Sequence, residues 1–337
     1  MTASATALGL VQAAAPAAVS PAPVADPASV VDPFIGTSNA ADDFPGADVP
    51  FGMVQWSPDT PRRPDGGGYE YNDSSITGFS LTHLSGPGCG AMGDVPFLLT
   101  TGAVNGLATA AFSHANEQAE AGYYKVRLDS GVTTELTTTV HSGMARFTFP
   151  PTQQANLLVK LAGSQTPVSN TSVTRVSDTE ITGSVTTGHF CGMSPTYTVY
   201  FAATFDHPFA TNGTFAATTP SLAGSTRARP GAPATPRAEP RLAGPAGEYL
   251  TFDTTADQVV QAKVGISYVS TANAQLNRDT DNPGWAFDQV HQSAHGQWNA
   301  MLGRIQIAGG TQAQQRVFYT ALYHALLHPN VFSDVNG

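Results

Sequence analysis

Across residues 123–149 the chain repeats one pattern: a run of alternating apolar and polar residues, a turn, and the run again. The runs are YYKVRL (residues 123–128), VTTELTTTV (132–140) and MARFTF (144–149), with turns expected at Asp129-Ser130-Gly131 and at Ser142-Gly143. Strand side chains alternate between two faces. Tyr124, Val126, Leu128, Val132, Leu136, Val140, Ala145, Phe147 and Phe149 therefore share an apolar face. A three-stranded meander of this kind needs a second apolar layer to cover it. Further strands are expected at ANLLVKLAG, in a hairpin around TRVSDTEITGSV, and at YTVYFAATF, EYLTFD and QVVQAKVGISYVS, each bounded by Gly, Pro, Asn or Asp. Many short strands without intervening helices predict a mainly β chain, a large antiparallel β-sandwich.

Charged residues make up 12% of the 337 residues, against roughly 25% in an average globular protein. The net charge of -10, without a Lys/Arg cluster, argues against a nucleic-acid partner. A neutral ligand is compatible with it. No apolar run is long enough to span a membrane. Residues 1–30 are rich in Ala, Pro and Ser, with A-x-A-like sites near Ala13 to Ala17 but no basic start, and read as a signal-like or disordered segment. Residues 211–248 hold a Pro/Ala-rich, low-complexity insert read as a mobile surface loop within a sandwich spanning 31–275. Cys89 and Cys191 are the two cysteines, both in Gly-rich loops. A single bridge and two independent thiols are both open readings.

After Asn282 the period changes. Trp285, Phe287, Val290, Ala294, Trp298, Met301 and Leu302 recur at helical spacing, with Pro283 suited to the first turn. A second helix is expected from Thr311, capped by that hydroxyl and by Gln314, presenting Val317, Phe318, Ala321, Leu322, Ala325 and Leu326 before Pro329 ends it. That stripe calls for other helices to cover it. Residues 276–337 are thus read as a separate helical segment.

Long stretches of this chain resemble one enzyme family. VDPFIGTSNAADDFPGADVPFGMVQWSPDT, then GGGYEY and GFSLTHLSGPGCGAMGDVPFL, are similar to the N-terminal domain of family 92 glycoside hydrolases, calcium-dependent, inverting exo-α-mannosidases. PGWAFDQVHQSAHGQWNAMLGRIQI and FYTALYHALLHPNVFSDVNG resemble the start of that family's helical catalytic domain. The resemblance implies a β-sandwich, a linker helix and the first helix of an incomplete α/α barrel, with the rest of that domain missing. It implies a secreted or cell-surface protein acting on mannose-containing glycans, with terminal α-1,2-linked mannose as the expected target. Calcium is the implied cofactor, its ligands expected mainly outside this chain, and so are the acid and base that inversion requires. The competing reading is a stand-alone, non-catalytic carbohydrate-binding sandwich.

Under the resemblance the loop holding His83, Ser85 and Gly86 walls the sugar pocket. Trp56 and Tyr69 are candidate stacking rings, and Glu70 is the one glutamate in a convincing loop. For His83 a packed loop histidine is the alternative, and for the aromatic residues, Tyr71 among them, plain core packing. Gly88, Gly90 and Gly93 match a dinucleotide fingerprint, but DVPFLLT follows instead of a helix, which excludes that use. Asn39, Asp42, Asp43 and Asp48 fit no EF-hand spacing and read as a solvated turn, with a metal role kept open by the calcium that the resemblance implies. His324 and His328, four apart on the last helix, read as helix packing in the absence of a completing ligand.

Overall fold

The computed structural model describes residues 21–39, 41–63, 65–216 and 242–337. The early strands are β1 (Ser57–Asp59), β2 (Ser75–Ile76), β3 (Gly78–Ser80), β4 (Phe97–Thr101) and β5 (Ala110–Glu120). The expected meander follows as β6 (Tyr123–Leu128), β7 (Thr133–Thr138) and β8 (Ser142–Thr148). Then come β9 (Ala155–Val159), β10 (Asn170–Arg175), β11 (Glu180–Gly188), β12 (Thr196–Phe205), β13 (Thr211–Phe215), β14 (Gly247–Phe252) and β15 (Val259–Ser267). Helices α1 (Thr271–Asp281), α2 (Phe287–Leu302) and α3 (Gln312–Leu326) close the chain.

The strands form two antiparallel sheets, ordered β1-β3-β4-β9-β14-β13 and β10-β11-β12-β15-β8-β7-β6-β5-β2. Between them lies one apolar core that includes Trp56, Phe79, Phe97, Leu157, Tyr124, Val126, Leu136, Phe147, Phe201 and Leu250. The alternation across 123–149 is the cause: inward residues of β6 to β8 are buried, each side chain contributing about 1.5–3 kcal/mol. The expected mainly β sandwich is the observed fold.

The second turn of the meander differs from expectation. Ser142 and Gly143 lie in β8, and the chain reverses at residues 139–142, where the Thr139 amide donates to the Ser142 carbonyl at 2.8 Å. Gly143 serves packing instead. A Cβ there would sit 2.5 Å from the Trp56 ring, so only glycine lets the indole lie flat on the strand.

Helix α1 has no counterpart in the sequence reading, which placed a boundary at 275/276, inside it. Its sequence, TANAQLNRDTD, lacks an apolar stripe because its docking is polar. Asn277 Nδ2 donates to the Ile266 carbonyl at 2.8 Å and to Asp334 Oδ1 at 2.7 Å, while Arg278 Nη1 donates to Glu180 Oε1 at 2.8 Å. Gly265 on β15 gives the helix its close approach: a Cβ there would lie 2.1 Å from the Ala274 carbonyl oxygen. Helix α2 begins at Phe287, so Pro283 precedes it rather than occupying its first turn.

Helix α3 starts as expected, with the Thr311 and Gln314 capping box formed. Its seated face is another matter. Tyr319, Thr320, Tyr323 and Leu327 are buried; Val317, Ala321 and Ala325 are exposed. Polar ground beneath the helix selects tyrosines: the Tyr323 hydroxyl donates to Asp48 Oδ1 and the Tyr319 hydroxyl to the Ile305 carbonyl, each at 3.1 Å. Trp298, Leu302, Tyr319, Tyr323 and Leu327 form a second apolar cluster with Phe44, Ala28 and Val31.

The Ala28 contact corrects the reading of the first residues. Within residues 21–30 Pro27 and Ala28 are buried, with a 3-10 turn at Pro27–Val30 capped by Asp26 and the Val24 amide donating to the Ile307 carbonyl at 3.1 Å. Residues 1–20 of the signal-like segment lie outside the described residues. So do residues 217–241 of the insert, whose ends are the paired strands β13 and β14. No described helix is long and apolar enough to cross a membrane.

Candidate functional site

Two histidines face the N-terminal domain: His324, in α3, lies against Asp43, and His328, just past the end of α3, meets the Gly-rich loop at Ser85. His328 Nε2 accepts the Ser85 amide hydrogen at 2.9 Å, which leaves the ring proton on Nδ1, and Nδ1 donates to Asn330 Oδ1 at 2.7 Å. The Ser85 hydroxyl donates in a short bond to Asp43 Oδ1. Asp43 Oδ2 lies 3.5 Å from His324 Nδ1, and His324 Nε2 is buried without a partner. Burial pushes the Asp43 carboxyl up and the His324 imidazole down, so both are displaced toward their neutral forms. Gly86, exposed and at φ +68, has open space where a Cβ would be and donates its amide to the Asp42 carbonyl at 3.0 Å.

Beneath this surface the segment read as a solvated turn is a buried floor. Asp42, Asp43 and Asp48 are 7%, 9% and 1% exposed, Asp43 lying by His324 of α3 and Asp48 under Trp298 of α2 and Tyr323 of α3, while Asn39 is exposed as expected. The Trp298 indole donates to the Asp48 carbonyl at 2.9 Å, and Asp48 Oδ2 has no partner. Burial raises the Asp48 carboxyl well above the ordinary range. A proton held more tightly in the folded than in the unfolded state means that stability falls as pH rises from the unfolded value toward the folded one. Thermal denaturation from about pH 5 to 8 should therefore show a declining midpoint that is flatter in Asp48→Asn, which cannot ionise. Parallel profiles for the two proteins would refute a buried neutral acid.

The remaining expected site residues are distributed differently. Trp56 is fully buried, its indole donating to the Phe79 carbonyl at 3.1 Å and packing 5.6 Å from Phe97, so no ring face is free for a sugar. Tyr69 is fully buried and donates to Glu117 Oε2 at 2.8 Å. Glu70, 6% exposed, accepts from Asn72 Nδ2 at 2.7 Å. His83 is fully buried, donating from Nδ1 to the Gln55 carbonyl at 2.9 Å with Nε2 3.3 Å from Asp59 Oδ1; both nitrogens are occupied by the protein. The Gly66 to Gly68 run admits protein rather than ligand, since a Cβ on Gly68 would lie 2.8 Å from that His83 nitrogen. Tyr71 is 39% exposed and stacks on His114 at 4.1 Å. Of the six candidates only Ser85 and Gly86 reach the surface. His324 and His328, half-buried, adjoin them above the buried Asp43, signalled in the sequence by the i, i+4 histidine pair alone.

Cys89 and Cys191 are bridged, tying this loop to the turn at Phe190–Gly192. Beside the bridge is an apolar pocket of about 360 Å³ with Met92, Phe190, Tyr197, Tyr268 and Phe332 in its walls. After the loop comes strand β4 and no helix, in keeping with the exclusion of a dinucleotide site. Among the described residues no group of three or more His, Cys, Asp or Glu is placed to hold a metal ion. The Ser85 and Gly86 amides and both His328 nitrogens are engaged within the protein, so the arrangement offers a ligand hydroxyl the accepting side of the Ser85 hydroxyl, with aromatic surface alongside.

Comparison with known proteins agrees with the fold. The glycosyl hydrolase family 92 N-terminal domain matches residues 30–267, and the family's catalytic domain matches residues 273–337. An uncharacterized secreted glycosidase of Arthroderma benhamiae is 27% identical over 91% of this chain and 42% of its own length. A family GH92 α-mannosidase of Bacteroides thetaiotaomicron superposes with a TM-score of 0.80 at 32% identity, covering 93% of this chain and 42% of that one. Its complex with mannoimidazole gives 0.81 at 31% identity, covering 93% and 41%. The chain spans about two fifths of the length of these relatives. With both domain matches in order along it, the chain belongs to glycosyl hydrolase family 92.

Proposed function

We propose that this chain forms part of the sugar-pocket wall of a secreted α-mannosidase that removes terminal α-1,2-linked mannose by inversion, and that residues 85–88 with Asp43, His324 and His328 are the wall. The observation that carries this reading is the Ser85 amide held by His328. A loop of the N-terminal domain is fixed by the first segment of the catalytic domain, at the one place where candidate residues meet solvent. Inversion needs a protonated carboxyl and a carboxylate about 6.5–9.5 Å apart. Glu70, Glu117 and Glu135 are each engaged by side chains of this chain, and Asp43 is shared between Ser85 and His324. In line with the family resemblance, the acid, the base and the calcium ligands are assigned to parts of the enzyme outside this chain. The disulfide and the secreted relative support export.

Titration with mannoimidazole by calorimetry tests the wall. Ser85→Ala removes the hydroxyl and His328→Ala removes the amide's acceptor, and each should weaken binding about tenfold, the worth of one buried hydrogen bond to a sugar. Undiminished affinity in both variants would place the ligand elsewhere.

A further inference from the structure

On a different part of the surface, where β8 and β15 meet the start of α2, lies an open pocket of about 420 Å³ whose walls include Arg146, Gln261, Trp285, Phe287, Asp288 and Gln289. None of these residues takes part in the Ser85 site. We propose that this pocket is a second carbohydrate-binding site, for a neutral oligosaccharide, stacking a pyranose ring on Trp285.

Three features point to that ligand. First, Trp285 is half-buried and braced: it packs against the Tyr123, Met144 and Phe287 cluster, and the Lys263 ammonium sits 4.5 Å from its ring centroid and donates to the Asn282 carbonyl at 2.9 Å. An indole so held presents its exposed part as a rigid surface to the C–H patch of a sugar ring at little cost in entropy. Second, the polar groups are fixed in advance. Arg146 donates from Nε and Nη2 to the Glu135 carboxylate, both at 2.9 Å, and from Nη1 to Asp288 Oδ1 at 3.1 Å, with its guanidinium 4.5 Å over Phe287. Gln261 is anchored by Asp206, to which Nε2 donates at 3.2 Å. Third, charge is balanced, since Arg146 and Lys263 are matched by Glu135 and Asp288. A charged ligand gains nothing here, whereas hydroxyls find donors and acceptors in the guanidinium, the carboxamides and the carboxylate. The pocket beside the disulfide has the aromatic surface but lacks this polar complement.

The tryptophans make the site readable. The chain has three, and Trp56 and Trp298 are fully buried. Trp285 is the one within reach of ligand or quencher. Titrating the full chain with α-mannotriose should change tryptophan emission saturably, with a dissociation constant near 1 mM, and should protect the emission from iodide quenching. Calorimetry under conditions that saturate the Ser85 site with mannoimidazole should show mannotriose binding weakened about tenfold in Trp285→Ala and retained in Trp285→Phe. Gln289→Ala, at an exposed position, should weaken it about threefold and covers the case in which the tryptophan variant misfolds. Ser85→Ala should leave the fluorescence response intact, so failure of the Ser85 site and failure of this one are told apart. Emission and iodide quenching unchanged by about 50 mM mannotriose would overturn the proposal, as would full affinity in both Trp285→Ala and Gln289→Ala.

Discussion

Replacing Trp56 by alanine is expected to destabilise the fold by about 3–5 kcal/mol, a large part of the roughly 5–15 kcal/mol that holds a domain together. The indole is fully buried between Phe97 and the bare backbone of Gly143, and its N–H satisfies the Phe79 carbonyl. Removing it leaves a cavity at the centre of the sandwich and an unpaired carbonyl, and neither strand can close over the gap without shifting the meander. In urea the unfolding midpoint should drop steeply while the slope stays near that of the parent protein. A binding role for Trp56 makes the opposite prediction: lost sugar affinity at an unchanged midpoint.

Removing the disulfide should have an effect of similar size. Cys89 and Cys191 are 102 residues apart in sequence, and closing a loop of that length restricts the unfolded chain by about 4.7 kcal/mol in the chain-entropy account. We expect Cys89→Ser with Cys191→Ser to lose about 2–5 kcal/mol. The local consequence matters more for function. The bridge anchors the loop three residues after Gly86, and without it hydrogen bonds, among them those of Ser85, Gly86, Met92 and Gly93, are left to locate that loop. Faster amide hydrogen exchange across residues 85–93 in the double variant, beyond any global change, would report this. Exchange that rises uniformly over the whole chain would mean that the bridge stabilises the fold without placing the loop.

The strands were legible because their cause is local. Alternation in 123–149 dictates which side chains face inward, and the second sheet is required to cover them. The helix at Thr271–Asp281 was not legible, since its buried face is Ala274, Asn277 and Arg278, and hydrophobic periodicity is silent about a helix docked through hydrogen bonds. The same limit applies to α3, whose apolar stripe is partly exposed while its tyrosines are seated on Asp48 and the Ile305 carbonyl. For the site, residue type misled in a consistent way. Trp56, Tyr69 and His83 are the side chains a sugar site uses, and they are equally the ones that fill a core and satisfy its polar atoms. Burial separates the two roles, and burial depends on contacts such as Trp56 on Gly143 that lie far apart in the chain. That Ser85 and Gly86 reach the surface follows from a loop of small residues between two strands.

The most direct test of the account measures binding and chemistry in one sample. The chain is mixed with mannoimidazole and hydrogen exchange is followed by mass spectrometry, while a parallel sample with α-1,2-mannobiose is assayed for free mannose. The account predicts slowed exchange at residues 85–88 and no mannose released, because this segment walls the pocket and the acid and base lie elsewhere. Release of mannose by this chain, or exchange at residues 85–88 indifferent to a saturating ligand, would contradict it.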